Sequence, residues 1–438
     1  MNRKMNSIFF KRIVVPVLSV SLLLLFAHSS VDAIPRNLIS LYPAQSDYQE
    51  ISSMESGWRN YYQTGMIYYD DFHCVEGNTS LAMQTDTRDG KNTVGASLSF
   101  SPITLETRAL RFFVRSTNWE NVEQLGVLMN SSGVWFDMFA VDIKPLMNCL
   151  NNNEWIEVVL SRSEFYPLQN PSWASINQIM FRLISRPDTE PTVWVDHLGH
   201  FESAKKPILS IVFDDGMSVI YDHALPVFED YGVRGSCFII PDFVGLEQDG
   251  FMSQKQIDFL AYRYGWGIGG HDWMNLVELP LEHSPNDPSW LPTLDESLQR
   301  NQSYFKEHPY PGKDCYAIPY GLYNDKVIET ISKYYTYVRP HNNLSQPSGY
   351  ICPYNINSHI VYAGLPIEEI QRWIQNAKEN HDWVILVMHR IVPNPSLGIE
   401  TENSVEFLQQ ILDYALNIEE VEVLPFHEAL EEYFPPAG

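Results

Sequence analysis

Basic residues are scarce in this chain. Its 438 residues include 29 Lys and Arg against 54 Asp and Glu, which leaves a net charge of −25. Nucleic-acid binding needs clustered Lys and Arg, so that class of partner is excluded. Attraction to anionic membrane surfaces is excluded for the same reason. Long apolar runs are lacking too. Only Ile13 to Ala27 is sustained, and it is short for a membrane span. Cysteine is sparse. Cys74, Cys149, Cys237, Cys315 and Cys352 are odd in number and match no metal-ribbon spacing. Cys237 and Cys315 sit in strand-like runs, where small buried hydrophobes belong. Cys74 with Cys149 is the one pair expected to bridge, given an oxidising compartment. There are no internal repeats and no low-complexity tract.

The N-terminus carries an export pattern. Arg3, Lys4, Lys11 and Arg12 flank the start of the apolar run, and "SSVDA" offers Val31 and Ala33 as small residues before a cut. Residues 1–33 are therefore expected to be a signal peptide. The mature protein would begin near Ile34 and be secreted, periplasmic or held at the cell surface. The only membrane insertion this pattern allows is an uncleaved anchor, and no cysteine ends the run to carry a lipid. Sequons at Asn78, Asn130, Asn301 and Asn343 matter in a host that glycosylates exported proteins.

The two halves of the chain read differently. Over residues 37–202, short alternating runs such as "SLAMQTD", "ALRFFVRS", "EQLGVLMN", "QIMFRLIS" and "TVWVDHLGHF" are broken by turn residues. That rhythm predicts a β-sandwich. Trp58, Trp119, Trp135, Trp155, Trp173 and Trp194 lie in or beside it. Each reads first as core packing and second as a platform for sugar rings. "FESAKKP" is polar, charged and closed by Pro207, which makes it the junction.

From 205 to 438, strand and helix alternate, which predicts a parallel α/β barrel-like domain. Gly232 stops one helix, Ser253 with Gln256 starts another in a capping box, and Thr293 starts a third. Chemistry in such folds gathers in loops after the strands' C-terminal ends. "IVFDDG" puts Asp214 and Asp215 there. "GGHDWMN" adds His271 and Asn275, "AIPYG" adds Tyr320, and "VMH" adds His389. Asp-Asp-Gly alone is ordinary turn chemistry. Polar groups at the end of four separate strands are not. One of two adjacent carboxylates can ligate a cation while its neighbour stays free to take a proton. Residues four apart, as His271 and Asn275 are, can meet one ion if they share a helical turn. A histidine across the site can protonate a leaving group.

In the order of these motifs, the second half resembles the polysaccharide deacetylases of carbohydrate esterase family 4, the NodB-homology fold. The resemblance implies an irregular (β/α)7 barrel and a divalent metal, usually zinc. It implies hydrolysis of acetyl groups on a polysaccharide or oligosaccharide, N-acetyl amides of amino sugars first and O-acetyl esters of xylan second. It casts Asp214 as base, Asp215 and His271 as metal ligands, His389 as acid, and the Tyr320 backbone N–H as a holder of the oxyanion. Three positions depart from the family pattern. Asn275 stands where a second metal histidine is usual, and an amide is a weaker ligand than imidazole. Ala317 replaces the arginine that orients the base, with Arg339 on the next strand as candidate substitute. The Asp-Trp motif behind the acid histidine is missing, and "RPHNN" offers His341, Asn342 and Asn343 in that region.

The first half resembles the jelly-roll, galactose-binding-like modules that accompany carbohydrate enzymes, in "VEGNTSLAMQT" and "VWVDHLGHF". The combined expectation is an exported, metal-dependent polysaccharide deacetylase. The rival is a catalytically impaired barrel that only binds carbohydrate.

Overall fold

The structure, a computed structural model, describes residues 47–89, 92–134, 136–145, 152–284, 291–348 and 352–433. The expected signal peptide, Trp135, and Cys149 with its pairing to Cys74 lie outside these residues.

The alternating runs of the first half form two six-stranded antiparallel sheets. One orders Met66–Asp70, Ser80–Gln84, Thr192–Glu202, Arg108–Ser116 and Ile156–Leu160, with Gln49–Ser52 also paired to Thr192–Glu202. The other orders Tyr166–Leu168, Met138–Asp142, Val122–Asn130, Ile176–Ser185, Thr93–Ile103 and Arg59–Asn60. Side chains alternate across a strand, so Ile179, Phe181 and Leu183 enter the core together with Leu81, Phe112, Val127 and Val195. Trp58, Trp119, Trp155 and Trp194 are buried as well. Trp173 is half-buried and stacks on Phe139 with ring centroids 3.8 Å apart. The first reading of these tryptophans, as packing, is the one the structure bears out.

Beyond Glu202 the chain changes to parallel strands. Tyr337–Arg339, Cys315–Ala317, Gly267–Gly270, Ser236–Ile239, Ile208–Phe213 and Asp382–Met388 lie side by side in that order. Gln346–Pro347 adds an antiparallel edge to Asp382–Met388, and His359–Ile360 and Glu422–Val423 pair in parallel on central strands. The result is a parallel half-barrel, as the α/β alternation predicts. Ile208–Phe213 is buried at every position, which explains an unbroken apolar run where a one-faced strand would alternate. The helix caps stand where the sequence puts them. Ser253–Gln256 and Thr293–Glu296 are capping boxes, and Gly232 ends its helix with φ 66°. Cys237 and Cys315 are buried, and burial pushes both thiols up.

Sandwich and half-barrel meet through polar groups. Ser161 and Ser163 hydroxyls donate to the Asp382 carboxylate at 2.6 and 2.8 Å, and the Ser345 N–H donates to Glu164 at 2.9 Å. Burial pushes the Asp382 carboxyl up to about 8 and that of Glu164 to about 7. A carboxyl raised on folding favours the protonated state. Its contribution is complete below the unfolded value and is lost as pH rises through the folded one. The melting temperature of the wild type should therefore fall between about pH 4 and pH 8, and Asp382→Asn should flatten that fall by several degrees. A thermal-melt series on both proteins checks this, and parallel curves would show that Asp382 does not titrate there.

Candidate active site

The paired aspartates part company at once. Asp214 continues the ladder, its N–H donating to the Met388 carbonyl at 3.0 Å, and its side chain is fully buried. Asp215 turns into the left-handed region at φ 74°, followed by Gly216 at φ 76°. That conformation is costly for a residue with a Cβ and is held only where surroundings demand it. Here it sends one carboxylate inward and leaves the next 37% exposed.

His271 follows Gly267–Gly270. A Cβ on Gly270 would lie 2.5 Å from the Tyr335 hydroxyl and 2.7 Å from Asn301 Oδ1, so the strand can approach this closely only with glycine. Asn301 donates to the His271 carbonyl and accepts from Tyr335. Asn301 and Asn130 are both buried, so these two sequons are closed in the folded chain. His271 Nδ1–H donates to the Ala317 carbonyl at 2.8 Å, which leaves Nε2 facing Asp215 Oδ1 at 3.5 Å. The backbone of Ala317 thus serves the site although its side chain cannot. Burial pushes His271 down, but Asp215, Asp214 and the Ala317 carbonyl hold it above the ordinary imidazole value. Burial pushes Asp215 up, but His271 and His389 hold it below the ordinary carboxylate value.

The helical turn expected over 271–275 does not form. Asp272 accepts from its neighbour's Trp273 N–H at 2.8 Å and from the Ser297 hydroxyl, which competes with helix formation. Asn275 instead caps the short helix Leu276–Glu278. Its Oδ1 accepts from the Val277 N–H at 3.1 Å, and its amide donates to Glu278 at 3.0 Å. The side chain expected to reach a metal is hydrogen-bonded to the Val277 N–H and the Glu278 carboxylate.

Arg339 ends the Tyr337–Arg339 strand and is fully buried. Its Nη2 donates to Asp214 Oδ1 at 2.5 Å, and its guanidinium lies 4.9 Å from the centre of the Phe238 ring. The arginine contact expected of position 317 is made from the neighbouring strand. His341, which was not singled out as a site residue, lies on the other side. Its Nε2 is 3.4 Å from Asp214 Oδ2, and it too is buried. The signal was its spacing: residues i and i+2 of an extended chain point the same way, and Pro340 between them restricts the backbone. Burial pushes His341 down to about 4, so it is neutral at ordinary pH. Burial pushes the Asp214 carboxyl up, but Arg339, His341 and His271 hold it well below the carboxylate range.

Two further groups complete the strand ends. Tyr320 also takes a left-handed conformation, φ 58°, inside the turn Pro319–Gly321, and its ring is largely exposed. A Cβ on Gly321, at φ 68°, would meet His341 Cβ at 2.9 Å, so this turn and His341 are pressed together. His389 follows Met388, whose strand partner Phe213 precedes Asp214. Asp214 and His389 are thus level at adjacent strand ends, and His389 is half-buried.

Among the described residues no three His, Cys, Asp or Glu side chains converge as a metal site. Asp215 and His271 fit two ligand positions, because their facing atoms are close and the tautomer of His271 is fixed by Ala317.

The sequence has relatives. Residues 202–338 match the model of the polysaccharide deacetylase family. The matched segment contains Asp214, Asp215, His271 and Tyr320, and stops before Arg339, His341 and His389. Over 134 residues the chain is 30% identical to the poly-β-1,6-N-acetyl-D-glucosamine N-deacetylase of Staphylococcus aureus strain MRSA252, covering 28% of this chain and 43% of that protein. The chain thus spans less than half the length of the curated relatives it matches. Among solved structures, peptidoglycan deacetylase PdaC from Bacillus subtilis aligns with 52% of this chain and 91% of its own at 12% identity, TM-score 0.33. A family 11 carbohydrate-binding module from Clostridium thermocellum aligns with 36% of this chain and 98% of its own at 10% identity, TM-score 0.28.

Proposed function

We propose that the chain is an exported deacetylase that hydrolyses the N-acetyl amide of amino sugars in a polysaccharide. One observation carries this reading: two adjacent carboxylates at one strand end have opposite environments. Asp214 is buried, bonded by Arg339 and flanked by His341, whereas Asp215 is partly exposed and faces a histidine of fixed tautomer. An ordinary turn needs neither arrangement.

A divalent ion, zinc in first place, held by Asp215 and His271, would acidify water and polarise the acetyl carbonyl. Asp214 is the base that takes the proton of the attacking water. Its low pKa keeps it ionised, and Arg339 fixes its direction. The Tyr320 N–H donates to the oxygen that gains charge at the acetyl carbon. His389, across the strand ends, gives a proton to the departing amine. The sandwich's resemblance to carbohydrate modules supports a polymeric substrate.

The test is acetate release by the chain from Ile34 onward, with bound metals quantified. The substrates are a β-1,6-linked N-acetylglucosamine polymer, chitin oligomers, peptidoglycan and acetylated xylan. The first polymer is the expected substrate, since the matched relatives are named for it. Acetate from xylan alone would move the reading to an O-acetyl esterase. No acetate from any of them, with sugar binding retained, would overturn it in favour of the carbohydrate-binding protein.

A further inference from the structure

We propose that the sandwich is part of the catalytic apparatus: through Asn342, Asn355 and Asn357 it sets where His341 stands, and His341 sets Asp214. The proposal rests on the deacetylase reading for its kinetic consequence and on geometry alone for its structural one.

The chain leaves the Tyr337–Arg339 strand, passes Pro340 and His341, and reaches Asn342. The Asn342 amide donates to Asn357 Oδ1 at 2.5 Å and to Asn355 Oδ1 at 3.4 Å, while its own Oδ1 accepts from the Ser358 N–H at 3.1 Å. The Ser358 hydroxyl returns to the Pro340 carbonyl at 2.8 Å. His341 is thus held on both flanks, at Pro340 and at Asn342. The same asparagines reach the sandwich. Asn357 donates to the Val159 carbonyl and Asn355 to the Glu157 carbonyl, each at 3.2 Å. Val159 and Glu157 belong to Ile156–Leu160, the last strand in its sheet path. An edge strand presents unpaired carbonyls, and a buried carbonyl must find a donor. Here the donors are side chains whose remaining bonds fix the segment carrying His341. Asn342, Asn355 and Asn357 are all buried, so water does not compete for these bonds.

His341 is a positioning residue in this scheme. Its Nε2 packs 3.4 Å from Asp214 Oδ2 without a hydrogen bond to it, while Arg339 donates to Oδ1, so one carboxylate oxygen is bonded and the imidazole limits where the other can swing. A base misplaced by about 1 Å costs up to a hundredfold in rate. The family match ends at residue 338, so the device lies in the part of the chain that the family model does not cover.

The experiment compares Asn357→Ala with Ser163→Ala. The second loosens the same domain junction at Asp382 and leaves the asparagines untouched. The His341 imidazole nitrogen signals are read at one fixed pH and assigned by their loss in His341→Gln. They should shift in Asn357→Ala and stay in Ser163→Ala. In parallel, Asn357→Ala should lose about tenfold in kcat with KM little changed, while Ser163→Ala of comparable melting temperature keeps kcat. Asn355→Ala, which removes one donor to the sandwich, gives the same comparison should the Asn357 variant not fold. An unmoved His341 signal in the asparagine variants would overturn the proposal, as would equal kcat losses at matched stability in both. A wild type without acetate release would sink the deacetylase reading, and the imidazole signals would still decide the coupling.

Discussion

Asp214→Asn should lower acetate release by about 10²- to 10⁴-fold, the range a positioned general base commands. It should also make the protein visibly less stable. Asp214 and Arg339 are both fully buried and bonded at 2.5 Å. Removing one charge leaves the other desolvated and unpaired, which costs about 3–5 kcal/mol. The kinetic loss must therefore be counted per folded molecule, with the melt recorded beside the assay. The double variant Asp214→Asn with Arg339→Gln separates the two effects. With both charges gone, no buried ion is stranded, so much of the stability should return while activity does not. Retention of activity within about tenfold in Asp214→Asn would show the pair to be structural and the base to lie elsewhere.

The features that could be read in advance were those encoded locally. A capping box needs only residues three apart, so Ser253 with Gln256 was visible in the sequence, as was the helix start at Thr293. The inward alternation along Ile176–Ser185 and the unbroken apolar run of Ile208–Phe213 were visible too. The strand-end positions of Asp214, His271 and His389 were legible because each directly follows a strand, with Asp215 next to Asp214 and Tyr320 in the turn after Cys315–Ala317. Other features depend on partners far apart in sequence. Gln346–Pro347 and His359–Ile360 are too short to carry a period and are strands only because Asp382–Met388 pairs with them. Asp272 reads as part of a histidine motif until Ser297 is found beside it. Asn275 reads as a ligand by its spacing, but a polar side chain next to a free N–H caps first. His341 and the asparagines after it carry no motif at all. Their meaning comes from Asp214 on one side and the edge of the sandwich on the other.

A pair of substitutions in the histidine motif tests whether spacing or geometry describes the metal side of the site. His271→Ala removes the imidazole facing Asp215, and the carboxylate alone is a poor chelator. Affinity for zinc should fall by more than the roughly 10- to 100-fold that losing an outer hydrogen-bond partner costs, and acetate release should fall with it. Asn275→Ala should behave oppositely. It removes the cap of Leu276–Glu278, worth about 1 kcal/mol, and should lower the melting temperature by a few degrees. Zinc affinity, measured by competition with a chromophoric chelator, should stay within about twofold of wild type, because the Asn275 amide is spent on Val277 and Glu278. If Asn275→Ala instead loses zinc as steeply as His271→Ala, the loop must reorganise around the ion and give up the cap. The four-residue spacing would then be a ligand pair after all. The two variants differ by only one residue type at each end of "HDWMN", so a difference in zinc binding between them isolates the ligand role from the fold.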